Sequence, residues 1–425
     1  MRILLLSQFF PPIVGGEERH VRNLANALAG RGHQVSVATL WYPGAKPREW
    51  DGKVRVHRLR GTLQRMGGLF RESERRHAPP FPDPELVAGL HTVMREEKPD
   101  VVHAHNWLLA SFLPLKLWSE VPLVVTLHDY SLVCAKKNFM HEGRICDGAS
   151  LSRCMPCAAA HYGAIKGAVT SIGNFASRVM SRRGVDRFIA VSHAVARYNG
   201  LEAAGVPYRV IPNFVPDDVA SLTTDTHPEL EQLPREPFLL FVGDLMHLKG
   251  VDVLLTAYGQ LAAAPPLVLI GRVCPDTPAE RPPNVHVFSM WPHEAVMHAW
   301  RRCLFGILPS VGPEACATVI MEAMASGKPV IASDIGGMPD LVDEGETGML
   351  VAPGDVGALR DAIQHLLADR QLLEAMGTNA LSRVNRLKAR AVVTQIEQTY
   401  DEVCREKRAT GPRHSNPYSA SRAAE

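Results

Sequence analysis

Neither a leader nor a membrane anchor is expected in the opening stretch of the sequence. MRILLLSQFFPP has one basic residue and four successive apolar residues, Ile3 to Leu6, before Ser7 and Gln8. That is too few for a signal core or a bilayer span, and a cytoplasmic protein is expected. Nor is one sign of charge in excess: 46 Lys plus Arg against 44 Asp plus Glu leave a formal +2, which argues against a polyanion such as nucleic acid as partner. No G-x-G-x-x-G follows the first predicted strand, so a nicotinamide-dependent dehydrogenase is disfavoured. No short-period repeat is present. RATGPRHSNPYSASRAAE (408–425) has no apolar anchors, and a disordered tail is expected there.

Core material, by contrast, is plentiful. Apolar residues make up 46% of 425, a length that predicts two domains of ~200 residues each. Short β-branched runs alternate with helical patterns at 2–7, 34–40, 54–59, 100–105, 122–128, 186–192 and 208–213. The rhythm restarts at 238–243, 266–271, 284–289, 304–310, 328–333 and 348–353. Such alternation predicts an α/β chain of two Rossmann-like units, each a parallel sheet with helices on both faces. The expected units are 1–214 and 215–390, with a proline-rich, polar linker over 216–237. An amphipathic helix is expected over 391–407.

Ligands bind open parallel sheets beyond the carboxyl ends of the strands. The first such loop carries Gly15-Gly16 ahead of a helix with Val21, Leu24, Ala25 and Leu28 at core spacing. The glycines would let a phosphate approach the helix N–H groups. A plain turn, followed by Glu17 and Glu18 that suit the helix dipole, is the alternative. Later strand ends carry His103 and His105, His128 and Asp129, and Ser192 and His193. Several polar groups on successive strand ends point toward one cleft, with His128 the leading candidate and His105 a supporting or structural group. In the second half Lys249-Gly250 precede a helix, where Lys249 would offer a cation to a diphosphate. PEACATVIMEAMASG (313–327) places Glu314 in a loop and Glu322 inside a buried helix that ends at Gly327. A carboxylate buried there needs hydroxyl or cationic partners. The N–H groups around Ala317, Thr318 and Val319 would face whatever Glu314 helps to hold.

Taken together, GGEERHVRNLANAL, PNFV (212–215), Gly243 with Lys249-Gly250, PE-x7-E (313–322), EAMASGKPVIASDIGGMPDLV and GETGMLVAPGD resemble the retaining glycosyltransferases of family 4. The resemblance runs over residues 1–405 and implies a GT-B fold: two Rossmann-like domains facing each other across a cleft, with the last helix crossing back to the first. It implies transfer of a hexose-type sugar from a nucleotide diphosphate sugar to a hydroxyl acceptor, saccharide or lipid-linked, with retention and with no metal or other cofactor. Cell-surface polysaccharide or glycolipid assembly is a setting it suggests. By the same resemblance Glu314 would contact donor-sugar hydroxyls and Glu322 the ribose. Lys249 would neutralise the diphosphate, Gly16 would lie beside it, and Ala317 and Thr318 would line the donor site. Gly15, His105 and His128 fall on the acceptor side, with His128 reaching the sugar. Two positions depart from the pattern. Asp244 stands where arginine is common, with Arg272 expected to substitute, and Ala317 stands where glycine is frequent. A nucleotide-sugar epimerase and a noncatalytic nucleotide-sugar sensor are the alternatives.

Two regional features stand apart. Cys134, Cys146, Cys154 and Cys157 follow C-x11-C-x7-C-x2-C inside an insertion over 134–161. Structural zinc, with His141 or His161 able to replace a thiolate, is one reading; reduced thiols and a disulfide are the others. Segment 54–76 holds seven arginines and two glutamates among leucines and Phe70. It reads either as a face for an anionic membrane or lipid-diphosphate acceptor or as a solvated basic loop.

Overall fold

The computed structural model describes residues 1–13, 15–65, 76–221 and 227–410. The first half builds β1 (Arg2–Leu6), α1 (Gly16–Gly30), β2 (Gln34–Leu40), β3 (Arg48–Asp51), β4 (Val54–Leu59), α2 (Pro84–Glu97), β5 (Val101–His105), α3 (Leu108–Lys116) and β6 (Leu123–Leu127). The insertion follows with a small hairpin, β7 (Met140–His141) and β8 (Arg144–Ile145), then α4 (Leu151–Tyr162) and α5 (Ala164–Gly184). β9 (Arg187–Ala190), α6 (His193–Tyr198) and β10 (Tyr208–Val210) complete the half. The second half runs β11 (Leu239–Val242), α7 (Val251–Gly259), β12 (Leu267–Ile270), β13 (Val285–Phe288), α8 (His293–Arg302), β14 (Gly306–Leu308), α9 (Thr318–Ala325), β15 (Val330–Ser333), β16 (Gly348–Val351), α10 (Val356–Ala368), α11 (Arg370–Arg383) and α12 (Ala389–Thr410).

The first sheet has the order β10-β9-β6-β5-β1-β2-β4-β3, and the second β13-β12-β11-β14-β15-β16. All pairings in both are parallel except β3 on β4. Each sheet reverses direction once, between β1 and β5 and between β11 and β14. Such reversals open the crevices in which doubly wound sheets hold ligands. Leu- and Val-rich strands suit this role because both faces are covered. Leu4, Val102 and Val125 pack with Leu90 of α2 and Phe112 of α3. On the opposite face Ile3, Leu5 and Val124 pack with Leu24 of α1 and with Val392, Ile396 and Tyr400 of α12. Each such fully buried side chain stabilises the fold by about 1.5–3 kcal/mol.

Every strand predicted from β-branched runs forms. β3 and the hairpin carry no such signal, because REWD has no apolar alternation and the hairpin strands are two residues long. The last helix extends through Thr410, past the expected end at 407. The tail expected from 408 therefore starts no earlier than 411, outside the described residues. The two crossings between halves are tied together, since Val215 N donates to Leu387 O at 3.1 Å and Ala389 N to Val215 O at 2.9 Å.

The basic segment 54–76 is not an open cationic face where it is described. Arg55 pairs with Glu97, Arg58 with Glu49 and Arg65 with Glu85, while Arg60 lies over the Trp41 ring. Residues 66–75 of that segment lie outside the described residues.

Candidate functional site

Loops from both sheet reversals meet in one cleft. On the second sheet the turn after β11 carries Lys249. Gly250 follows with φ 70°, and a Cβ there would sit 1.9 Å from Pro309 O. Only glycine lets the β14 loop close on this turn, and the closure sets Lys249 Nζ 2.6 Å from Glu314 Oε1. Ser310 Oγ donates to the same oxygen at 3.1 Å. The Glu314 backbone is held as tightly. Gly337 N donates to Glu314 O at 2.7 Å, and Tyr130 OH from the first half approaches it at 3.4 Å. Gly336, at φ 63°, could carry no side chain, because its Cβ would fall 2.2 Å from Glu314 O.

Eight residues on, Glu322 is 5% exposed within α9. His293 Nε2 lies 2.9 Å from its Oε1, and Arg19 of α1 reaches it at 3.9 Å. The cationic partner required by burial thus comes partly from the opposite half. The start of α9 at Ala317–Thr318 has no side-chain cap, which leaves first-turn N–H donors for an anion. The expected Arg272 substitution meets a complication: Arg272 donates to Asp244 Oδ2 at 2.7 Å, so it pairs with the acid that stands in place of the missing arginine.

On the first sheet α1 begins at Gly15–Gly16 without a side-chain cap, and a Cβ at Gly16 would meet nothing within 4 Å. The space beside that helix start is open. Behind it lie four buried or half-buried histidines. His103 bonds Tyr400 OH and Thr126 Oγ1, each at 2.7 Å. His128 Nδ1 meets Asn213 Oδ1 at 3.1 Å, and its Nε2 meets His105 Nδ1 at 2.9 Å. Because Asn213 Oδ1 can only accept, His128 carries its proton on Nδ1 and accepts from His105 at Nε2. Both His128 ring nitrogens are therefore engaged, and one must be released before the ring bonds a sugar. His20 packs edge-on against His128 with centroids 4.8 Å apart. Burial and the neighbouring imidazoles keep the cluster neutral. His128 is lowered to about 4 and His103 to about 3, and His20 and His105 fall well below the usual value.

Glu17, in the first turn of α1, has an environment beyond the helix dipole. Asn106 Nδ2 donates to its Oε2 at 2.7 Å, and Asn106 Oδ1 accepts from Lys137 Nζ at 2.9 Å. Burial first, then Asp129, raises the Glu17 carboxyl to about 7. Lys137 belongs to the insertion and also lies 4.2 Å over the Trp107 ring, so the insertion borders the cleft. Asn106 has φ 67°, a conformation Asn adopts more readily than most residues. Asn106 gave no sequence signal, whereas Asn213 lies in the PNFV motif.

Cys134, Cys146, Cys154 and Cys157 are all free thiols, so the disulfide alternative does not form. The four line one small cavity together with His141. Among the described residues no group of three or more His, Cys, Asp or Glu is arranged to hold a metal ion.

Comparison with known proteins agrees with this geometry. The family model described as Glycosyltransferase Family 4 matches residues 14–219, and that of Glycosyl transferases group 1 matches 223–383. Glycogen synthase of Mycobacterium tuberculosis is 28% identical over 97% of each chain. D-inositol 3-phosphate glycosyltransferase of Corynebacterium aurimucosum is 26% identical over 97% of this chain and 100% of its own. Sucrose-phosphate synthase from Thermosynechococcus elongatus superposes with a TM-score of 0.73 at 23% identity, over 95% of this chain and 99% of that one. The fold is GT-B, and the chain belongs to the family 4, group 1 glycosyltransferases.

Proposed function

We propose that this glycosyltransferase moves a hexose-type sugar from a nucleotide diphosphate donor to a hydroxyl acceptor with retention of configuration and without a metal. The observation that carries the reading is the Lys249–Glu314 pair, 2.6 Å apart, together with the uncapped starts of α1 and α9. The donor diphosphate takes the Lys249 ammonium and the two sets of N–H groups. The freed Glu314 carboxylate accepts from sugar hydroxyls, and Glu322 from the ribose. The bond from the anomeric carbon to phosphate oxygen breaks as the acceptor oxygen bonds to the same face. The acceptor proton passes to the departing phosphate oxygen. Positioning and leaving-group electrostatics then supply the rate. Asp244, which suggested a noncatalytic sensor, is held by Arg272 and brings no uncompensated negative charge, which supports the catalytic reading.

A panel of UDP-, GDP- and ADP-sugars scored for slow hydrolysis tests this: one preferred donor is expected. Release of no nucleotide from any donor, with or without a pool of saccharide and lipid-linked acceptors, overturns it. Epimerised sugar nucleotide formed without acceptor favours the epimerase instead. The product anomer, read by NMR, tests retention. Work in the cytoplasm with peripheral contact at the membrane belongs to the same proposal. Structural zinc in the insertion rests on the shared cavity, and purified chain lacking stoichiometric zinc removes it.

A further inference from the structure

Helix α5 turns two arginines toward a pocket that holds no acid to meet them. The pocket, of about 450 Å³, lies between the insertion, α5 and α6, and Phe139, Arg178, Arg182, Arg197, Tyr198 and Asn199 line it. A volume of that order suits a small ligand. Arg178 and Arg182 stand four residues apart on one helix face, where like charges repel. Burial, and then the neighbouring Arg182, hold the Arg178 guanidinium below the usual arginine range. Among the described residues the Nε of each arginine is buried without a hydrogen-bond partner, while Arg182 is anchored through Nη2 to Asn199 O at 3.2 Å and Gly200 O at 3.4 Å. Asp147, the one acid among the described lining residues, points outward: its side chain is 89% exposed and lies 3.9 Å from Arg153. A carboxylate or phosphate docks on such guanidinium groups through paired N–H donors and relieves both the repulsion and the unmet hydrogen bonds.

The rest of the lining suits a sugar ring. Asn199 is fully buried, and its Nδ2 donates to Asp129 O at 3.1 Å and Val195 O at 2.9 Å. Its Oδ1 has no partner among the described residues and can accept from a hydroxyl. Tyr198 stacks on Phe139 with ring centroids 4.9 Å apart, and the Arg197 guanidinium lies 4.8 Å over the Tyr198 ring, so one wall is aromatic. Phe139 is held at φ 54°, a conformation that bulky side chains rarely adopt and that persists chiefly at functional sites. Arg178 also lines the cavity of Glu17, His128 and Asp129, so the pocket adjoins the acceptor side of the cleft. We propose that this pocket is a subsite for an acidic sugar, whose carboxylate or phosphate is held by Arg178 and Arg182. That the sugar belongs to the acceptor rests on the proposed function; that the pocket takes an anionic sugar does not.

The test is saturation-transfer NMR of the full chain, without donor, against methyl β-D-glucuronide, glucose 6-phosphate and methyl β-D-glucoside, with inorganic phosphate as competitor. The acidic sugars are expected to bind with a Kd near about 1 mM, the strength typical of ligands of this size, and the glucoside at least about tenfold more weakly. Arg178→Gln should weaken the acidic sugars at least about tenfold, and Arg178→Lys, which keeps the charge without the fork, by less. Native circular dichroism is expected of both variants, because Arg178 Nε bonds nothing within the described chain. Binding of only one acidic sugar supports the proposal and fixes the anion as carboxylate or phosphate. No transfer to either at about 10 mM, ten times the expected Kd, overturns it, as does a glucoside that binds equally well or an Arg178→Gln chain that binds like wild type. Inorganic phosphate that displaces both sugars at equal concentration marks a bare anion site and overturns the assignment to a sugar. The titration uses neither donor nor turnover, so its failure is distinct from a failure to release nucleotide.

Discussion

Replacing Lys249 with alanine removes a cation that pairs with the Glu314 carboxylate, 2.6 Å away. A cation and a phosphate ~4 Å apart interact by about 4 kcal/mol at the effective dielectric of a partly buried site. Donor binding exchanges Glu314 for the diphosphate as the partner of Lys249, so much of that attraction cancels in the ground state. The part that does not cancel grows as charge builds on the leaving phosphate. A loss of about 2–3 kcal/mol in kcat/KM, ~30- to 150-fold, is expected, most of it in kcat. The variant also leaves Glu314 without its ammonium beside an incoming anion. Adding Glu314→Gln to Lys249→Ala should therefore cost less than Glu314→Gln does alone, a non-additivity of the kind contacting residues display. The assay is nucleotide release with the preferred donor across the four chains of the cycle. Lys249→Ala within about threefold of wild type would refute the leaving-group role, and strict additivity would refute the exchange of partners.

The remaining perturbations probe the frame around that pair. Gly336→Ala pushes a methyl group onto Glu314 O, 2.2 Å from its ideal Cβ, and should abolish donor binding by titration calorimetry while circular dichroism stays native. Tyr400→Phe strips the 2.7 Å bond from His103 Nδ1 and should lower stability by about 1–3 kcal/mol in urea denaturation. Native His128 and His103 protonate only near 4 and 3, against 6.5 when unfolded, so unfolded chain binds extra protons below pH 6.5. Stability should fall with acidification through that window. Glu17 has the opposite sign: the native chain keeps its proton up to about 7, whereas the unfolded carboxyl releases it near 4.5. Its contribution is lost as pH rises between those values, and Glu17→Gln should abolish that slope in denaturation midpoints.

The parallel strands could be read from sequence because burial on both faces demands uninterrupted Leu and Val, and the two acids because their spacing straddles a helix start. Other features were hidden for physical reasons. REWD pairs on one edge only, so nothing forces alternation on it. The Glu17–Asn106–Lys137 chain joins three separate loops, a convergence no local pattern encodes. Arg272 is expected from sequence to substitute for the missing arginine at the diphosphate, but its guanidinium donates to Asp244, a pairing that strand position alone does not reveal. Helix α5 packs so close to α4 at Gly167 that a Cβ there would fall 2.4 Å from Ala159 N, an approach between helices that periodicity within one helix does not reveal.

Helix α12 supplies Val392, Ile396, Tyr400 and Val403 to the same buried cluster as Ile3 and Leu5. During synthesis, therefore, the first sheet leaves the ribosome with α1 covering only part of that face, and the rest stays bare while the entire second sheet is translated. Until the covering helix arrives, that face is a site for a holdase chaperone or for a faulty intermolecular contact. The amino-terminal half is thus finished last, and truncations that remove only the chain's final turns should lower yield before they lower the activity of the molecules that fold.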